Sequence, residues 1–214
     1  MSAETWTLFL AVAAAAVLSP GSAMLAILGL ALSHGGLAAL PVVLGNAAGV
    51  VLLMAASVLG LAALLAAVPG GLSALRWAGA AYLAWLGVEA LRTPAADDPA
   101  VHDDAAPRAT PTRATGFGRG VLIALSNPKA ILFFGAVLPQ FVDPGRPGLP
   151  QFALLAVTFA GLELLATGAV ALGANAFAPV FRHPAARRRV NRAGGAVMIA
   201  AAVLLALTPV GGAS

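Results

Sequence analysis

Two charges, Lys129 and Glu163, lie deep inside apolar sequence, and two short runs of helix-breaking residues accompany them. Lys129 closes the run Ser126-Asn127-Pro128-Lys129, ten residues after Arg119 and fourteen before Asp143. At about 1.5 Å per helical residue it sits about 15 Å from the first of these charges and about 21 Å from the second. An ammonium at that depth costs at least about 2.5–3.5 kcal/mol to insert, and such groups face a bundle interior or a water-filled cavity. The depth argues against snorkelling, which leaves a structural ion pair or a binding role. Glu163 is the only charge between Arg146 and Arg182. A carboxyl kept from water there can carry a proton, hold an ammonium group or neutralise Lys129. Asn46, at a comparable place in an earlier apolar stretch, can hydrogen-bond a ligand or join two helices.

The breaks matter because they free backbone groups. Pro128 has no N–H and pushes Asn127 away from helical dihedrals, so the helix is expected to unwind there. Freed carbonyls and the positive end of the next half-helix suit a zwitterionic ligand, with Lys129 favouring its carboxylate. Ser19-Pro20-Gly21-Ser22 is expected to do the same earlier in the chain. One proline alone reads equally well as a packing kink; two at matched places favour a site. The candidate binding residues are therefore Ser19, Pro20, Gly21, Asn46, Asn127, Pro128, Lys129 and Glu163.

What must position them is a membrane bundle. The chain is 60% hydrophobic and 9% charged, and residues 5–75 contain no Asp, Glu, Lys or Arg. A bilayer core needs about 20 apolar residues per helix, so this run holds more than one crossing. Six apolar stretches emerge, at 5–32, 37–68, 72–91, 118–141, 151–177 and 191–209, separated by turn residues and, at 183–189, by a basic segment. Residues 93–115, with four Asp and four Pro, cannot bury an apolar face and read as a loop. The expected fold is an all-α integral membrane protein, one transmembrane domain over 1–214, with repeat one at about 5–92, a cytoplasmic loop at about 93–116 and repeat two at about 117–209.

Nine arginines lie in or beside the third-to-fourth and fifth-to-sixth connections, whereas only Arg76 and Arg146 fall on the other side. The positive-inside rule puts the nine in the cytoplasm and both termini outside. Three spans per half then force the halves into opposite senses, giving two inverted three-helix repeats with broken first and fourth helices. Leu75-Arg76-Trp77-Ala78-Gly79-Ala80-Ala81 aligns without a gap on Val190-Asn191-Arg192-Ala193-Gly194-Gly195-Ala196, at the start of the third and sixth spans.

Several classes are excluded or weakened. The basic pI reflects loop arginines rather than a basic face with interleaved aromatics, so nucleic acid is not an expected partner. Cys is absent, and the three His residues lack ligand spacing, so no metal or other cofactor is expected. No nucleophile elbow or HExxH lies in a span, which argues against an enzyme. Met1-Ser2-Ala3-Glu4 lacks a basic leader region, and the first apolar stretch is expected to remain a helix. Gly45-Asn46-Ala47-Ala48-Gly49 is a small-xxx-small pattern that serves either internal packing or a homo-oligomer. Membrane lipid is the surrounding partner.

Three stretches resemble the LysE/RhtB amino-acid exporters, bacterial inner-membrane proteins with six spans. Ser19-Pro20-Gly21-Ser22 is similar to the family's Pro-Gly-Pro element, residues 75–92 (LRWAGAAYLAWLGVEALR) to its third-span signature, and residues 116–142 (GFGRGVLIALSNPKAILFFGAVLPQFV) to its Asn-Pro-Lys block. Ser22 replaces the second proline, which is expected to soften the first kink. The resemblance implies secondary efflux of amino acids or close derivatives, driven by the proton gradient or membrane potential. A passive channel or pore for small polar solutes is the alternative, although no repeated ring of filter residues is present.

Overall fold

In a computed structural model, residues 1–67, 71–92, 112–143 and 145–207 are described, and all their regular structure is helical. Ser2 starts α1 (Ala3–Leu18) by accepting the Thr5 N–H on its hydroxyl at 3.1 Å. Ser19 (φ −71°, ψ 114°) and Gly21 (φ −130°, ψ 177°) are extended, and α2 (Ser22–His34) restarts at 50° to α1. The cause is Pro20, which disfavours a helical Ser19. Gly35 ends α2 at φ 88°, a conformation open to glycine without a Cβ clash. Then come α3 (Gly36–Ala67) and α4 (Gly71–Arg92).

The second half opens with α5 (Arg113–Leu125), which Thr112 caps. Asn127 is extended (φ −80°, ψ 106°), and α6 (Pro128–Leu132) runs into a wide π turn (Phe133–Val137) and a tight 3-10 turn (Leu138–Phe141). The bend between α5 and this second piece is 56°. The first bend is slightly smaller than the second. Beyond an Arg146–Asp143 ion pair at 3.1 Å lie α7 (Gly148–Leu172), α8 (Ala174–Arg182) and α9 (Pro184–Leu207).

Two boundaries differ from the sequence reading. The stretch expected to be continuous over 151–177 divides at Gly173, because the α7 backbone ends there and α8 starts anew. The basic segment 183–189, expected as a break, is helical from Pro184 onward. Proline is well suited to the first helical position, where its missing N–H is not needed. The turn at 69–70, most of the loop at 93–116, Pro144 and the end of the sixth stretch lie outside the described residues.

Among the described residues, three helices are long and apolar enough to cross a membrane, or up to five if each bent pair makes one span. Arg76, Glu89 and Arg92 all fall in α4, which does not meet that standard. Helices with little apolar asymmetry fit a lipid surround; outward Leu37, Leu59, Val157, Leu165 and Leu207 are exposed accordingly.

The bundle packs α3 against α5 and α7, and α4 against α9. A Cβ on Gly45 would lie 2.0 Å from the Phe117 carbonyl oxygen, and one on Gly120 2.1 Å from that of Val42. The α3 and α5 backbones therefore touch, and the small-xxx-small pattern serves internal packing. Gly87 and Gly195 do the same for α4 and α9, where a Cβ on Gly195 would lie 2.7 Å from the Gly87 carbonyl oxygen. Two apolar clusters result, one around Phe9, Met54, Phe134 and Phe159 and another around Ile27, Val42 and Ala171.

Candidate functional site at the two helix breaks

Both breaks open onto one cavity where the apolar clusters meet. Ser19 and Gly21 line it from the first break, Asn127 and Lys129 from the second, Asn46 from α3 and Glu163 from α7. The room inside it for water-sized molecules is about 70 Å³. Pro20 and Pro128 shape the backbone but do not line the cavity. The six lining residues come from four separate segments, so only the fold assembles them.

The two half-helix starts differ. Asn127 Oδ1 accepts the N–H groups of Lys129 (3.1 Å) and Ala130 (3.4 Å), so the α6 start is already capped. Gly21 has no side chain to cap α2, whose Leu25 N–H makes a bond back to the Gly21 carbonyl at 3.0 Å. Gly21, Ala23 and Met24 line the cavity beside this break, so the α2 start borders it. The sequence reading offered the starts of both half-helices to a ligand. Of the two, the α2 start has no side-chain cap.

Lys129 joins the two breaks. Its backbone carbonyl accepts from the Tyr82 hydroxyl at 3.2 Å, and its Nζ crosses to the last turn of α1, donating to the Ala16 carbonyl at 3.2 Å. Carbonyls at a helix C-terminus attract a cation. Across the cavity, Glu163 Oε1 accepts from Asn46 Nδ2 at 2.7 Å, and Asn46 Oδ1 has no partner. The amide orientation follows from chemistry, since an ionised carboxylate can only accept. Asn46 is 1% and Glu163 8% exposed. Lys129 and Glu163 share the cavity but form no ion pair within 4.0 Å. Each is held by another group, so direct mutual neutralisation is not the arrangement.

Phe133, Phe134 and Phe159 form an aromatic wall, with Phe134 and Phe159 edge to face at 4.8 Å. Thr167 also lines the cavity and donates to the Glu163 backbone carbonyl at 2.6 Å. Sequence reading missed all four. Thr167 carried one usable signal, its position four residues after Glu163 on the same helical face; the phenylalanines read as ordinary core. A separate shallow groove between Leu32 and the α8 residues Asn175, Ala178 and Pro179 includes His183 but neither break. Among the described residues no group of three His, Cys, Asp or Glu is placed to hold a metal ion.

Residues 14–208 match the LysE type translocator family. The chain belongs to this family. Relatives of the LysE chain include the homoserine/homoserine lactone efflux protein of Salmonella typhimurium (strain LT2), 31% identical over 206 residues, which cover 96% of this chain and 98% of the relative. An uncharacterized membrane protein of Vibrio cholerae serotype O1 is 32% identical, again over 96% and 98%. The leucine efflux protein of an Enterobacter species (strain 638) is 34% identical over 70% of this chain and 68% of its own. No solved structure matches. Family and apolar helices together make the chain a bacterial membrane protein.

Proposed function

We propose that this LysE-family chain is a secondary exporter of amino acids or close derivatives across the bacterial inner membrane, with the cavity at the two breaks as its substrate site. The observation that carries the reading is the convergence of both breaks, Lys129 and Glu163 on one space. Lys129 Nζ and the uncapped amides of α2 bind the substrate carboxylate; Glu163 and Asn46 bind its ammonium; the phenylalanine wall takes the side chain. The named substrates of two relatives fit this division of labour. Homoserine, its lactone and leucine all carry an α-amino group, while the lactone offers a carbonyl oxygen in place of a carboxylate. Neutral N–H groups at a helix start donate to either oxygen.

The six-span, inverted-repeat architecture belongs to the same proposal, as do the three-plus-three division of 1–214, cytoplasmic placement of 93–116 and both termini outside. Two features support it. Each half contributes one bent pair, of 50° and 56°. The aligned glycines also occupy related places: a Cβ on Gly79 would lie 2.5 Å from the Ala136 carbonyl oxygen in the second bent pair, and one on Gly194 3.4 Å from that of Ala15 in the first. The packing is not identical, since α1 rests on α9 whereas α4 meets the π turn rather than α5 as its chief partner in that pair. Rocking of the halves about the cavity gives alternating access, driven by the proton gradient or membrane potential.

Proteoliposome uptake and counterflow with a panel of amino acids test the function. Saturable, stereoselective flux is expected. Failure of every amino acid and derivative to show it would remove the exporter reading.

A further inference from the structure

We propose that Asn46 and Glu163 form the coupling site, taking either a proton or the substrate's ammonium group, never both. This rests on the exporter reading above and adds the coupling ion and the charge moved per cycle.

The starting observation is a half-satisfied amide. Asn46 Nδ2 donates to Glu163 Oε1 at 2.7 Å, yet Oδ1 of the same planar group is buried without a partner. A buried acceptor left without a donor forfeits its hydration with nothing in return, and an orphan of this kind in a packed site calls for a specific explanation. Two species can supply the hydrogen. Protonated Glu163 offers an O–H, closing the two-bond ring that a carboxylic acid and a primary amide form. A substrate ammonium offers an N–H to the same oxygen, while the ionised carboxylate balances its charge. The first state needs the proton on Glu163 and the second needs it gone, so the occupants exclude one another.

The surroundings leave this exchange largely to one other charge. Glu163 is on α7, which packs against α1, α2, α3 and α8. No Asp, Glu, Lys or Arg occurs in α3; α1 carries Glu4 in its first turn, α2 His34 in its last, and α8 ends at Arg182. Lys129 of α6 shares the cavity lining. With Lys129 protonated throughout, a bound zwitterion brings the site to zero charge: ammonium against Glu163, carboxylate against Lys129. The proton-loaded site holds neutral Glu163 and Lys129, a charge of plus one. Each zwitterion exported therefore returns one positive charge to the cytoplasm. An α-amino amide keeps the ammonium and lacks the carboxylate, so its loaded site also carries plus one and the exchange moves no net charge.

The test uses the purified full chain in proteoliposomes, with leucine and leucinamide as probes, equal pH on both sides and protein-free liposomes as the leak control. Charge movement is read on a solid-supported membrane and proton counterflow with an entrapped pH dye. Both probes are expected to drive proton counterflow, with charge moved per leucine at least ten-fold that per leucinamide. Glu163→Gln is expected to lose the counterflow. Saturable leucine flux without proton counterflow overturns the proposal, as does equal charge per molecule for the two probes or counterflow retained in Glu163→Gln. Where leucine is not carried, the amino acid of the panel that is carried and its amide take the place of the two probes, and absence of saturable flux for the whole panel in the unaltered protein overturns the exporter reading itself. The two-probe comparison needs no variant, so a misfolded mutant cannot leave the question open.

Discussion

Asn46 and Glu163, 117 positions apart, meet at 2.7 Å and tie α3 to α7 beside the cavity. The pair is nearly closed to solvent, so it carries structural weight as well as charge. Replacing Asn46 with Leu removes the donor and leaves the carboxylate unpaired, at a cost of about 1–3 kcal/mol. A lower melting temperature is expected, followed by tryptophan fluorescence in detergent. A melting curve identical to that of the parent would show that the contact contributes nothing to stability.

Lys129→Ala removes the cation that spans the two breaks. Loss of a charge-assisted bond worth about 1.5–3 kcal/mol weakens zwitterion binding about ten- to hundred-fold. Leucinamide, lacking a carboxylate, should lose much less. Concentration dependence of uptake for both compounds checks this, and equal losses would disconnect Lys129 from the carboxylate.

Close backbone contact between α3 and α5 makes Gly120→Ala costly, because its Cβ would lie 2.1 Å from the Val42 carbonyl oxygen. The helices must separate, and a loss of about 1–3 kcal/mol or failure to accumulate is expected. Gly161→Ala is the control. Nothing lies within 4 Å of its Cβ position, and alanine is the better helix former by about 1 kcal/mol. Membrane yield and melting temperature of the two variants should move in opposite directions; similar behaviour would refute the close contact.

Arg76 donates from Nε to the Leu205 carbonyl at 2.7 Å and from its terminal nitrogen to that of Ala206 at 2.5 Å. It thereby satisfies the end of α9 and opposes the negative pole of that helix. Arg76→Ala is expected to lower stability by about 1–2 kcal/mol without changing substrate affinity. A shift in affinity with no shift in melting would contradict this capping role.

Phe134→Ala opens the aromatic wall and leaves Phe159 without its edge-to-face partner. Uptake competition should shift toward bulkier side chains, by a few-fold, since pocket discrimination on size is worth about 1–3 kcal/mol. An unchanged ranking among glycine, leucine and phenylalanine would remove the wall from the substrate site.

The family, the helical class and both breaks were legible in the chain because each rests on local chemistry. A residue before proline leaves helical dihedrals whatever surrounds it, and the extended Ser19 and Asn127 follow. Apolar length likewise names a membrane helix without reference to its neighbours. Helix limits near 173 and 184 were less legible, since an apolar run does not reveal where its backbone restarts. Only tertiary structure decided that Lys129 reaches Ala16 rather than Glu163, that Asn46 holds Glu163, and that α2 rather than α6 presents the uncapped start. Those are distances between segments far apart in sequence. They depend on how closely glycine-faced helices approach, and the sequence by itself supplies the small residues without the geometry they permit.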